Sequence, residues 1–322
     1  MNLNRIYRLL KIALYGKPIS FAVNLSKLKG SSNESLINLF DFKSKYLFHK
    51  PSNQQLSQEY FNIFEFDLTL INFYFTSYSI TPHSNNSFIL SDRGTDKAIS
   101  VIIDSNHTLQ LYREVFIYTP YAFSCNEDCV VMDVGMNIGF ASLYFARKDQ
   151  VKLVYGYELV PDTYLKSTSN FKLNPVLASK IKSFGFGLGN ANAQLSIPYV
   201  PAGSVGASIN DFMIVSISAN QKKTSVEIKD IQEEIFSVYE KNKLPIVLKL
   251  DCEGAEYDII QRLYDQQLFR FIKTIMIEWH VKGPDQIINQ LMDSGFEVFS
   301  NLIPAHMPMG FIYGVNRSYK NV

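Results

Sequence analysis

The chain reads as a doubly wound α/β protein with a mostly parallel sheet and an N-terminal extension. Three observations predict this. From Cys129 onward, short β-branched runs alternate with helical stretches, turn residues punctuate them, and a polar or glycine residue stands at the end of nearly every run. Strands alternating with helical patterns of about 10–15 residues specify βαβ units, in which helices cover both faces of a parallel sheet.

Taken in order, residues 130–134 form the first strand and 138–147 the helix after it. Residues 153–158 and 162–173 form the next pair, followed by a strand at 181–186. A strand at 246–251 leads into a helix at 255–263, and one at 274–279 leads into a helix at 284–294. The chain closes on strand candidates at 297–300 and 310–315. The N-terminal part is less regular. Residues 61–75 alternate apolar and polar in their first half and read as a strand, 81–87 as a turn cluster, and 100–104 as another short strand. The boundary is expected near residue 110, with 1–110 a mixed α/β extension without an assigned role and 111–322 the α/β domain.

Composition excludes several classes. With 31 basic and 30 acidic side chains, the net charge of +1 gives no broad basic surface, so no nucleic-acid partner is expected. The 24 Phe and 19 Tyr are too many for a disordered chain. No apolar run reaches the ~20 residues of a spanning helix, so no transmembrane segment is expected. Residues 1–16 set Arg5, Arg8 and Lys11 among Ile6, Leu9, Leu10, Ile12 and Leu14. Lys11 breaks the apolar stretch, which argues against a signal peptide and leaves peripheral membrane contact as a lesser expectation. Cys125, Cys129 and Cys252 offer neither a disulfide framework nor zinc spacing, so free thiols, no metal and a cytoplasmic location are expected. Nothing in the sequence specifies an oligomeric state.

In an open α/β sheet, ligands bind beyond the carboxyl ends of the strands, near the reversal of strand order. The first strand ends Asp133-Val-Gly135-Met-Asn137-Ile-Gly139. Gly135 allows a tight turn, and the following helix start favours a carboxylate, while Asp133 suits an ammonium better than a pyrophosphate. The dinucleotide fingerprint is missed, because Asn137 and Phe140 stand where glycines belong. Glu158, about 20 residues on, is placed to accept ribose hydroxyls. A ligand with a ribose, an amino-acid end, a positive charge and no phosphate is S-adenosylmethionine. Asp251, Cys252, Glu253, Gly254 and Glu256 follow the buried strand at 246–251, and Ile277-Glu-Trp-His280 ends the next. Asp251 is expected to reach the crevice; Glu253 and Glu256 equally suit the electrostatics of a helix start. His280 is the first expected base and Asp251 the second.

From about Leu109 to the C-terminus, the chain resembles the FkbM-type methyltransferases, within the class I S-adenosylmethionine-dependent methyltransferases. The resemblance rests on Val131-Met-Asp-Val-Gly-Met-Asn-Ile-Gly139, Tyr157-Glu158, Asn170-Phe-Lys-Leu-Asn174 and, above all, Leu248-Lys-Leu-Asp-Cys-Glu-Gly-Ala-Glu256. It implies a seven-stranded, Rossmann-like sheet with the last strand antiparallel. It also implies Asp133, Gly135, Asn137 and Gly139 around the methionine part, Glu158 on the ribose, Phe186 and Gly187 around the adenine, and Asp251 at the methyl-transfer region. Leu159 and Val160 depart from the pattern by separating Glu158 from Pro161. The stretch 187–207, with Gly203-Ser-Val-Gly206-Ala-Ser208, corresponds to an acceptor-lining region. The implied reaction is O-methylation of a hydroxyl on a sugar, glycan or natural product, so a small-molecule or glycan acceptor is the expected partner. The alternatives are a nicotinamide-dependent oxidoreductase on a similar sheet and a non-catalytic nucleoside-binding module.

Overall fold

The structure is a computed structural model and describes residues 34–42, 46–65, 67–84, 86–93, 97–199, 222–303 and 308–319. The basic start carrying Arg5, Arg8 and Lys11, and the part of the 187–207 stretch containing Gly203 and Gly206, lie outside the described residues. The chain divides into two compact units, 1–114 and 115–322. No helix among the described residues is long and apolar enough to cross a membrane.

In the first unit, α1 (Glu34–Ile37) precedes an antiparallel sheet of β1 (Phe40–Phe42), β2 (Tyr46–His49) and β3 (Gln54–Ser57). The strand expected at 61–75 is instead a turn followed by α2 (Leu68–Ser77). The Asp67 carboxylate accepts the Thr69 N–H at 2.8 Å and so caps this helix. Leu68, Ile71, Tyr74 and Phe75 are then buried at helical spacing, and this overrides the alternation just before them. The turn cluster expected at 81–87 is also mostly strand. In β4 (Tyr78–Ser84), Pro82 pairs with Phe88 of β5 (Ser87–Asp92). Here β4 is the edge of a sheet ordered β4-β5-β6, with β6 at Ser100–Ile103, and an edge strand tolerates a proline that cannot donate. A short helix, α3 (Asn106–Arg113), follows with Ser105 as its cap.

The second unit is built on a seven-stranded sheet. Its strands are β7 (Cys129–Val134), β8 (Val151–Tyr157), β9 (Ile181–Phe184), β13 (Ile246–Leu250), β14 (Ile272–His280), β15 (Phe296–Ile303) and β16 (Met309–Asn316). They are ordered β15-β16-β14-β13-β7-β8-β9. Both of the pairings made by β16 are antiparallel and the other four are parallel, so β16 alone runs against the rest. The connecting helices are α4 (Phe140–Ala146), α5 (Pro161–Lys172), α6 (Pro175–Ala178), α7 (Ile231–Asn242), α8 (Glu256–Asp265) and α9 (Asp285–Asp293). All residues of β7 and β13 are buried, as expected of central parallel strands. Strand order reverses between these two, which puts the crevice at their carboxyl ends.

Two features differ from the sequence reading. The strand expected at 181–186 stops at Phe184, and β10 (Gly187–Gly189) starts a separate three-stranded sheet with β12 (Lys222–Asp230) and β11 (Ala193–Tyr199). The helix α7 was not anticipated either. It buries Ile231, Ile235, Val238 and Tyr239 at helical spacing behind an Asp230 cap.

Candidate functional site

Between β7 and α4 the backbone turns through three left-handed residues, Gly135 (φ +76°), Asn137 (φ +53°) and Gly139 (φ +85°). A Cβ on Gly135 would lie 1.8 Å from the backbone oxygen of Asp251, so this loop presses directly on the exit of β13. A Cβ on Gly139 would meet the Phe171 ring at 2.7 Å. Asn137 tolerates its conformation by accepting the Ile138 N–H at its own Oδ1, 2.8 Å away. Gly135 and Met136 donate their N–H groups to the Tyr157 carbonyl at 3.1 and 2.9 Å, which binds the loop to the end of β8.

Glu158 lies at that end, nearly buried. Its Oε2 accepts the Asn137 N–H and its Oε1 the Val160 N–H, each at 2.8 Å. Burial pushes its carboxyl up to about 7, against those two hydrogen bonds and the Lys249 charge. Each carboxylate oxygen has about two lone-pair sites, and one on each is filled. The remaining pair matches two adjacent hydroxyls, the chemistry that a ribose presents, so the residues fit the nucleoside end of S-adenosylmethionine.

Asp133 and Lys249 are register partners on β7 and β13. Lys249 Nζ donates to the Gly135 carbonyl at 2.7 Å and lies 3.1 Å from Asp133 Oδ1 and 3.6 Å from Asp251 Oδ2. Burial alone lowers the ammonium's pKa, but the Asp133 and Asp251 charges more than reverse this, so Lys249 stays charged. The other oxygen of Asp133 accepts the Ser142 hydroxyl at 2.6 Å, and the side chain is 0% exposed. Asp133, expected near the ligand's ammonium, is thus held by Lys249 and Ser142 beneath the loop, and through Lys249 it supports the Gly135 turn.

Asp251 keeps 27% of its side chain exposed. Its Oδ2 accepts the Tyr121 hydroxyl at 2.9 Å, and the same hydroxyl lies 3.2 Å from Glu278 Oε2. His280, on the same strand as Glu278, is almost buried. Its Nδ1 lies 3.2 Å from Glu256 Oε1, and its Nε2 lies 3.9 Å from Glu253 and 4.0 Å from Glu278. Burial lowers its pKa, but the Glu256 hydrogen bond and the charges of Glu256, Asp251 and Glu253 prevail and bring it to about 10. An imidazolium favoured by these carboxyl groups is a poor proton acceptor, which weighs toward Asp251 over His280 as the base. Glu256 is fully buried and accepts the Cys252 and Gly254 N–H groups, which shapes the turn out of β13.

Phe186 is largely buried, packed on Tyr157 and Phe184 with Lys229 Nζ 4.1 Å from its ring centroid. A Cβ on Gly187 would approach Leu159 at 2.9 Å, so the two-residue insertion before Pro161 packs against this turn. Sequence reasoning missed the parts played by Lys249, Glu278 and Tyr121. A lysine inside an otherwise apolar central strand was a readable signal. Tyr121 offered none, because it lies 130 residues from Asp251 along the chain.

The family model described as Methyltransferase FkbM domain matches residues 133–298, from Asp133 through His280 and into β15. Methyltransferase 1 of Beauveria bassiana (strain ARSEF 2860) is 24% identical over 204 residues, covering 58% of this chain and 80% of the relative. Methyltransferase sdnD of Sordaria araneosa is 25% identical over 213 residues, covering 58% and 82%. Among solved structures, Methyltransferase FkbM from Methylobacillus flagellatus KT is similar, with a TM-score of 0.41 and 13% identity over 63% of this chain. The match spans only 47% of that protein's chain.

Proposed function

The chain belongs to the FkbM methyltransferase family, with S-adenosylmethionine as methyl donor, and we propose that it methylates a hydroxyl oxygen on a sugar, glycan or natural product. The observation that carries this reading is Asp251, a carboxylate left 27% exposed at the exit of β13 while its charged neighbours Asp133, Lys249 and His280 are buried and paired. A hydroxyl must lose its proton to become a methyl ether, and Asp251 supplies the acceptor.

When bound, the donor supplies a methyl group on a positively charged sulfur, which keeps the carbon–sulfur electron pair as the new oxygen–carbon bond forms. The chain's own residues bind, align and deprotonate. Glu158 receives the ribose hydroxyls on its free lone pairs. The Gly135–Gly139 turn, supported from beneath by Asp133 and Lys249, borders the methionine part, with the turn at Phe186 and Gly187 on the adenine side. The acceptor's hydroxyl hydrogen passes to the Asp251 carboxylate, a general-base contribution worth about 10²–10⁴-fold in rate. His280 remains an imidazolium that gathers Glu253, Glu256 and Glu278 around the site.

The test incubates the full chain with methyl-labelled S-adenosylmethionine and fractionated extracts of glycans and small hydroxylated metabolites. Mass spectrometry then locates the label. An O-methyl product, with incorporation reduced about 100-fold or more in Asp251→Asn, is the expected result. Label on nitrogen or carbon, or an Asp251→Asn variant of full activity, rejects the reading.

A further inference from the structure

We propose that Tyr121 is a positioning residue that shares a second hydrogen with the carboxyl groups of Asp251 and Glu278 and joins them into one proton-holding unit. This rests on the reading of Asp251 as the group beside the transferred methyl. The phenol oxygen lies 2.9 Å from Asp251 Oδ2 and 3.2 Å from Glu278 Oε2. A hydroxyl has one hydrogen to donate, so a single hydrogen makes only one of these contacts a hydrogen bond. Both become hydrogen bonds when one carboxyl carries a hydrogen and donates it to the phenol oxygen. The nearer surroundings choose which. Lys249 lies 3.6 Å from Asp251 and His280 4.0 Å from Glu278; the closer cation stands at Asp251 and Glu278 is more deeply buried, so Glu278 carries the hydrogen.

The ring of Tyr121 is held for this task. It packs on Phe145 of α4 and Phe311 of β16, with Lys249 Nζ 5.2 Å from its centroid. The titratable groups around the unit come from every neighbouring element. Asp133 comes from β7 and Lys249 from β13, Cys252 and Glu253 from the turn after β13, Glu256 from α8, His280 from β14 and Tyr313 from β16. The Cys252 thiol, pushed well up by burial, stays neutral. The cations Lys249 and His280 thus stand against the carboxyl groups of Asp133, Asp251, Glu253, Glu256 and Glu278, an excess of negative charge that favours retaining a hydrogen.

S-adenosylmethionine and S-adenosylhomocysteine differ by the methyl group and one positive charge. The ratio of their dissociation constants therefore reports the charge beside the sulfur, and contributions common to both ligands cancel. Calorimetry on the full chain would follow this ratio from about pH 5.5 to 9. In the wild type, preference for the charged ligand should strengthen with rising pH over a span wider than one ionisation, as expected of a coupled pair. Glu278→Gln should narrow the span to one ionisation. Tyr121→Phe removes the phenol that links the two carboxyl groups, so the span should narrow as it does in Glu278→Gln. A Tyr121→Phe variant that weakens both ligands alike, with an unchanged span, has lost only packing and overturns the proposal. If that variant fails to fold, Glu278→Gln decides, and a retained two-step span overturns it. A ratio flat with pH in the wild type means that the pair holds no extra hydrogen in this range and overturns the proposal, while the base named under Proposed function is decided separately by the Asp251→Asn methylation test.

Discussion

At Gly135 the backbone of β7 passes so close to Asp251 that no side chain fits, and its φ of +76° disfavours any L residue. Gly135→Ala is expected to cost about 2–5 kcal/mol, combining the left-handed penalty with overpacking. Urea unfolding measures this, and a loss below about 0.5 kcal/mol contradicts the close approach. Glu158 lends itself to a binding test. Hydroxyls donate to its ionised form, and its carboxyl titrates at about 7. Affinity for S-adenosylhomocysteine should be constant well above that pH and fall below it, by up to about tenfold per pH unit. Glu158→Gln should weaken binding about 10–100-fold, the worth of a charged hydrogen bond, and abolish this pH dependence. Calorimetry at several pH values reads both effects.

Among the elements, the seam between β7 and β13 holds the most concentrated electrostatics. Lys249 ties Asp133, the Gly135 carbonyl and Asp251 together across it. Lys249→Met strands Asp133 as a buried anion and should destabilise the protein by about 3–5 kcal/mol. Adding Asp133→Asn to the same chain should return part of that loss, and a double-mutant cycle measures how much. A cycle showing no coupling would mean that the pair is not energetically linked. Elements whose pattern is local were readable: β7, β8, β13, β14 and their helices follow from apolar runs and helical spacing. The helix α7 carried the same spacing and a capping Asp230, and was legible but passed over. Two cases were not legible locally. In β12, strand burial depends on pairing with β10 and β11; in α2, one capping aspartate outweighs the alternation before it.

For the whole molecule, the two units each have their own sheets, and the cofactor crevice belongs to residues 115–322. S-adenosylhomocysteine at about 100 times its dissociation constant should stabilise that unit by about 2.7 kcal/mol. This corresponds to a rise in its unfolding midpoint of about 5–10 °C. Calorimetric scanning checks it, and an equal response to a nicotinamide dinucleotide would point to unspecific binding. Stability should also vary with pH through His280. Its folded pKa of about 10 lies above the unfolded 6.5, so its contribution is complete below pH 6.5 and disappears as pH rises toward 10. The wild type should lose on the order of a few kcal/mol more than His280→Asn between pH 7 and pH 10, measured by urea unfolding.

Asp133, Glu158, Asp251 and His280 were all recognisable from the chain as residues at the ends of parallel strands, because hydrophobic periodicity and the βαβ repeat are local properties that fix where strands stop. The same applies to the glycines of the loop after β7. Their individual states were not recognisable. Asp133 and Asp251 look alike in sequence, yet one is sealed against Lys249 and Ser142 while the other faces outward. His280 looks like a free base, yet it is buried with Glu256 3.2 Å from its Nδ1, a neighbour that favours the imidazolium. Tyr121 enters from far along the chain to bridge two carboxyl groups. Charge state and reach depend on distance to other charges and on exclusion of water, and both arise only when segments remote in sequence are packed side by side.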